Sequence, residues 1–348
     1  MTALRITATG MCCAVGYSTA TAVPAIRAGM DHFRETQFVD QQGKPLIGAQ
    51  LYGIDQWGTS RMGWMFRRVL TECLANENHA SALNNTALIL IAPEQDRPGA
   101  TENWSDEIYQ DCTAQYDFHP CSCVVPSGKV GLISALAMAS EFLTTGQVRR
   151  VLIAGVDSFF SSAAITHYLG QQRLLTGDNN DGFIPGEAAG AITVTLNENP
   201  DDNGLIICGI GQGNEEAHIL QDELPNRGTG LNKAIRRAVT DSGSPLTETL
   251  FHISAVSHES FYFRETELAV LRSLEHKVAD YPHLMLTAST GEVGAASGPL
   301  MLAYLASVMP RPDGPGRKGL IHLSDDYGHR AAAIVQWRDS HTSDYPEN

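Results

Sequence analysis

The sequence predicts an α/β fold built from two successive strand–helix halves. Short runs of Val, Ile, Leu and Ala alternate with segments of helical spacing, a polar Pro/Asp/Asn break falls at 197–203, and a comparable order of elements begins again beyond it. At 348 residues the chain is long enough for two such halves, expected over 1–200 and 201–340, with a polar tail over 341–348.

In the first half, 4–8 reads as a strand, followed by a Gly-containing turn and a helix over 20–28. Residues 57–74 carry apolar side chains at helical spacing, and TALILI at 86–91 is a continuous apolar run of strand length. A helix at 104–114 and a strand at 121–125 come next. In 130–143 apolar side chains fall on nearly every face, which predicts a central helix buried all round. Strands at 151–156 and 189–196 close the half. The second half reads as strand 205–210, helix 230–240, strand 250–256, helix 264–274, strand 284–288, helix 293–308 and strands 319–323 and 331–337.

Composition excludes several functions. The 39 acidic against 24 basic residues give a net charge of −15, which argues against a nucleic-acid or anionic-membrane surface. The same balance disfavours docking of an acidic carrier protein unless basic residues cluster locally; the Pro/Gly loop at 310–318 carries a local basic cluster that could meet such a partner, a solvated loop being the simpler reading. The opening MTALRITATG has no basic region followed by a long apolar run, and no window reaches transmembrane length, so a cytoplasmic protein is expected. The seven cysteines, at 12, 13, 73, 112, 121, 123 and 208, form no zinc pattern and read as reduced thiols. His167, His218, His283 and His329 belong to no visible constellation, and GIGQG at 209–213 is followed by acids rather than a lysine. No cofactor and no metal are expected.

The chemistry-bearing stretch is 121–158. A strand, a sharp turn, an apolar helix and a second strand form the scaffold that holds a nucleophile at a helix N-terminus, where unpaired N–H groups favour negative charge. At the head of that helix stands Lys129.

Four segments together resemble the β-ketoacyl synthases (3-oxoacyl carrier-protein synthases) of the thiolase superfamily. They are ITATGMCCAVG with TAVPAIRAGMDHF near the N-terminus, VLIAGVDS at 151–158, NNDGFIPGEAAGAITV at 179–194 and STGEVGAASGPLMLA at 289–303. The resemblance implies a five-layer αβαβα thiolase-like fold and a dimer. It also implies a Cys nucleophile activated by a helix N-terminus, with two further side chains, His/His or His/Asn, stabilising enolate and oxyanion. Counting back seventeen residues from Gly146 puts the nucleophile position at Lys129, and alignment on Gly131 puts it at Gly128. Neither is a thiol, and Cys121 and Cys123 fall too early. The first His position matches His258 and the second falls at Glu292; the C-terminal glycine loop keeps only Gly328 of its pattern.

A lysine at the positive end of a helix needs a compensating partner. The family geometry brings the two altered positions together, so Lys129 and Glu292 are expected to pair across the former active site. The alternatives are Lys129 open to solvent, Lys129 as an amine nucleophile, and Ser127 as an acyl-transfer nucleophile with His258 as base. Glu187 is expected to need a buried partner, with Asp181, Gly182, Gly186 and Gly190 shaping the fold. The resulting expectation is a degenerate synthase, a pseudoenzyme acting as an adaptor or companion. Its partner would be a thiolase-fold chain in a homodimer or heterodimer, an acyl carrier protein, or a component of a bacterial type VI secretion cluster. The competing expectation is an active 3-oxoacyl-ACP synthase or acyltransferase using Ser127 or a repositioned thiol.

Overall fold

The computed structural model describes residues 1–75, 80–100, 104–199, 202–276, 278 and 280–339. The tail expected at 341–348 lies outside them. Twelve strands are present among these residues: β1 (Leu4–Cys13), β2 (Arg34–Val39), β3 (Pro45–Gly48), β4 (Thr86–Ala92), β5 (Cys123–Pro126), β6 (Arg150–Ser158), β7 (Glu187–Leu196), β8 (Gly204–Asn214), β9 (Phe251–Ser254), β10 (His283–Met285), β11 (Lys318–Ser324) and β12 (His329–Arg338). The helices are α1 (Thr19–Arg27), α2 (Gly58–Leu74), α3 (Trp104–Gln115), α4 (Gly131–Thr144), α5 (Ser162–Gly170), α6 (Thr229–Ser242), α7 (Ser260–Ser273), the single turn α8 (Thr287–Thr290) and α9 (Ser297–Val308).

Ten strands pair in the order β10-β9-β11-β12-β8-β1-β7-β6-β4-β5, and β2 with β3 forms a separate hairpin. The order records a duplication. Leaving the hairpin aside, each half has five strands, and from the outer edge inward both run third, second, fourth, fifth, first. In each half the outer three strands are mutually parallel and the inner two pair antiparallel. The halves join at β1 and β8 through the pairs Leu4↔Ile207 and Arg5↔Ile206.

Helices α4 and α9 pack against strands of both halves, while α2 and α3 cover the far face of the first and α6 and α7 that of the second. This is the five-layer αβαβα arrangement. The middle layer holds the main core, in which Leu132, Ile133 and Leu136 of α4 and Leu300, Leu302 and Leu305 of α9 meet Ile153, Ile192, Ile253 and Ile321 of the strands. The near-continuous apolar character of α4 is therefore a consequence of its place between two sheets. Close approach explains a glycine of the 179–194 segment: a Cβ on Gly190 would lie 2.6 Å from Leu300 N, so α9 rests on bare strand.

Several boundaries differ from expectation. The first strand runs on to Cys13 because β7 pairs with it throughout, ending at Cys13↔Ala188. The strand expected at 284–288 stops at Met285 and turns into α8, and the helix expected from 293 begins as a 3-10 turn at Gly294–Ala296. Cys121 sits in the turn before β5, its Sγ 3.0 Å from His119 Nδ1. The hairpin and α5 were not foreseen; RETQFV and SAAITHYLG are too short to show a decisive period. Among the described residues no helix is long and apolar enough to cross a membrane.

Candidate functional site

The strand–turn–helix predicted around residue 129 is present. β5 ends at Pro126, Ser127 precedes a 3-10 turn over Gly128–Val130, and α4 follows at once. Gly128 adopts φ +52, and a Cβ there would lie 1.9 Å from Glu94 Oε1, so a carboxyl rests on the bare backbone of the elbow.

Lys129 and Glu292 meet as expected. Lys129 Nζ lies 2.8 Å from Glu292 Oε2, with the side chains 12% and 3% exposed. Glu292 Oε1 accepts from Gly294 N at 2.9 Å, and Lys129 Nζ stands 5.6 Å over the Tyr262 ring. Burial works against the ammonium, but Glu292 and Asp326 outweigh it and hold the Lys129 pKa above the ordinary lysine value. An amine nucleophile needs the opposite shift, so this lysine is a fixed cation.

Around the pair two arginines are clamped by acids. Arg97 grips Asp157 through two bonds, Nη1–Oδ2 at 2.8 Å and Nη2–Oδ1 at 2.5 Å, and Asp157 also accepts from Ala295 N at 2.9 Å. Arg173 grips Glu259 at 2.7 and 2.9 Å and Asp326 at 2.6 and 3.1 Å, and the Tyr262 hydroxyl donates to Asp326 at 2.5 Å. Arg173 and Lys129 together hold Asp326 below the usual carboxylate range despite its burial. The cavity left among Glu94, Arg97, Lys129, Arg173, Glu292 and Asp326 has a volume of about 30 Å³. One water needs about 10–15 Å³ on the same measure, so this space admits a water or two and no acyl chain.

His258 follows β9 and precedes α7 as anticipated, but it is exposed, with φ +57, and lines no cavity beside Lys129. The next residue, Glu259, turns inward to Arg173. Ser127 does not meet His258 either; it lines a separate cavity of about 460 Å³ together with Glu94, Gln212, Asp325 and His329. In that cavity His329 Nδ1 lies 2.8 Å from Asp325 Oδ2, and no hydrogen bond links Ser127 to either among the described residues. All seven cysteines are pushed above the ordinary thiol pKa by burial, the opposite of the shift that activates a thiol nucleophile.

The remaining expectations concern the frame. Glu187 has its partner in Arg61, with Nη2–Oε1 at 2.5 Å and both side chains buried. Asp181 accepts from Ser260 N at 2.6 Å and Ser260 Oγ at 2.7 Å, capping α7 from another part of the chain.

Sequence reasoning missed Glu94, Arg97, Arg173 and Asp326. Glu94 is informative because burial pushes its carboxyl from an ordinary 4.5 up to about 7. The folded chain therefore holds a proton there that the unfolded chain loses above pH 4.5, so this site's contribution to stability declines as pH rises from about 4.5 to 7. Glu94→Gln is expected to stabilise the chain by about 1–2 kcal/mol above pH 8, after discounting for partial exposure, and to change little below pH 4.5. Urea unfolding at the two pH values measures the difference; equal effects at both would contradict the placement of this carboxyl.

With this geometry in place, comparison with solved structures is decisive for the fold. One match is a chain of a type II polyketide acyl-carrier protein in complex with its ketosynthase, at TM-score 0.80 and 14% identity over 97% of this chain and 100% of that one. The chain has a ketosynthase-like fold of the thiolase type. A β-ketoacyl synthase from Burkholderia phymatum matches this ketosynthase-like chain at TM-score 0.77 and 14% identity, over 97% and 100% of the two chains. The ishigamide ketosynthase/chain length factor matches at TM-score 0.72 and 18% identity, again over 97% and 100%. No family model and no curated protein matches the sequence.

Proposed function

We propose that this ketosynthase-like chain does not condense acyl units and acts through protein contact, as the companion of an active synthase or as an adaptor in a type VI secretion assembly. The observation that carries the reading is the Lys129–Glu292 pair at 2.8 Å. With the register that puts the nucleophile position at Lys129, it fills that position and the second-His position of the resembled family with matched charges, and the clamped arginines beside it leave a space of only about 30 Å³.

The outer cavity supports a chain partner over an acidic carrier. Its lining offers Asp96 and Asp325, with Glu94 joining them as a charge only above about pH 7, while its arginine, Arg330, is committed to Glu265 at 2.9 Å. An acidic surface would meet like charge there. A ketosynthase from Xenorhabdus doucetiae solved in complex with its chain length factor has this fold, at TM-score 0.69 and 13% identity over 97% of this chain and 98% of that one. That precedent favours a second thiolase-fold chain as the partner, in a homodimer or heterodimer. The four-residue β5 stands at one edge of the large sheet among the described residues, and an edge strand is a place where such a contact can form.

The test is intact-mass spectrometry after incubation with a series of acyl-CoA thioesters. The mass is expected to stay unchanged. A stoichiometric acyl adduct, mapped to Ser127 or to a cysteine, would establish the acyltransferase reading and end this one.

A further inference from the structure

Three imidazoles meet on one face of the second half-sheet, and none of them lines the Lys129 cavity. They come from adjacent parallel strands. His283 of β10 lies opposite His252 of β9, and His322 of β11 lies opposite Ser254, two residues beyond the partner of His252. Because side chains alternate along a strand, this register puts the three rings and the Ser254 hydroxyl on the same side. His283, which belongs to no constellation visible in the sequence, sits half-buried on the edge strand in this cluster.

The contacts within the cluster are close. His252 Nδ1 stands 3.0 Å from His322 Nε2, and His283 Nε2 stands 2.6 Å from Ser254 Oγ. One ring nitrogen from each histidine lies within 4.8 Å of the other two. Tyr281 stacks on His252 at 5.2 Å with its hydroxyl bonded to Thr249, and Phe263 of α7 meets His283 at 6.3 Å. Among the described residues no carboxylate bonds to any of the three rings. Three largely buried imidazoles with no acid beside them are a costly way to fill space, since each must be desolvated without a charged partner.

Metal binding gives the arrangement a purpose. Zinc–nitrogen bonds of about 2.0–2.1 Å in tetrahedral geometry place ligand nitrogens about 3.4 Å apart. The His252–His322 separation of 3.0 Å is already close to that, so an ion can take the place of the proton they share. His283 closes the set. Its ring lies within 15° of parallel to His252, so it must turn about its Cβ–Cγ bond to aim a nitrogen at the ion, and its half-buried edge position leaves room for the turn. Ser254 Oγ or a water completes four-coordination. Imidazole donors without carboxylates do not suit calcium or magnesium and do suit zinc, nickel and copper.

We propose that His252, His283 and His322 bind one divalent ion of the zinc–nickel–copper class at the β10 edge of the sheet. The reading is independent of the proposed loss of condensing activity.

The test uses the untagged full chain stripped with a chelator. Zinc chloride is titrated by calorimetry, and cobalt(II) is followed by its visible absorption, near neutral pH. The expected result is one ion per chain with the strong cobalt bands of a four-coordinate site. His283→Ala and His322→Gln should each weaken binding at least tenfold, while His167→Ala, an exposed histidine on α5, should not. His283→Ala is half-buried and should fold like the parent in chelator, so the test survives a misfolded His322 variant. Absence of binding, or binding that both cluster variants retain, overturns the site.

Discussion

Alanine at Glu187 should lower the free energy of unfolding by about 3–5 kcal/mol, the cost of leaving a buried charge without its partner. Arg61 is 3% exposed and Glu187 0%, so the guanidinium could not recover solvent in the folded state. Glu187 Oε1 also accepts from Leu51 N at 2.8 Å, and Ser158 Oγ donates to Oε2 at 3.2 Å, so the carboxylate ties the start of β7 to the end of β6 and to the segment leading into α2. Arg61 meanwhile caps the carbonyls of Ile54 at 2.7 Å and Leu51 at 2.6 Å. Glu187→Gln keeps the shape and part of the hydrogen bonding, and should cost about half as much as alanine. Urea denaturation at pH 7 gives both values; a loss under about 1 kcal/mol for Glu187→Ala would show that the segment relaxes enough to hydrate Arg61.

The repeated succession of strands and helices could be read from the sequence because it rests on apolar runs and their spacing, which are local properties; the order in which the strands pair is not local and appears only in the folded sheet. The need of Glu187 for a buried partner was equally legible, since a carboxylate inside GEAAGAITV has no water to turn to. The pairing of Lys129 with Glu292 followed from family geometry applied to two anomalous residues. What stayed hidden was long-range and carried by loops. Arg173 reaches Glu259 across 86 residues, and Arg97 reaches Asp157 across 60, with no periodicity to announce either. His258 shows the limit of register: the turn is where it was expected, yet the inward side chain is the next residue. The three histidines escaped notice because His252 and His322 are 70 residues apart and meet only when β9 and β11 pair.

The Lys129–Glu292 pair should behave as a unit in a double-mutant cycle. Lys129→Met leaves Glu292, 3% exposed, with Gly294 N as its remaining donor, and should cost about 3 kcal/mol. Glu292→Gln leaves an ammonium at the positive end of a helix, but Lys129 is 12% exposed and still feels Asp326, so about 1–2 kcal/mol is expected. The double variant removes both charges together, and should cost no more than about 1 kcal/mol relative to the parent, giving a coupling of about 3–5 kcal/mol. Such coupling is what the proposed filling of the site requires: each charge is tolerated because the other is there. Additive single effects would mean that the two residues are held by their surroundings separately. Lys129 would then be available for another role, and the non-condensing reading would lose its main support.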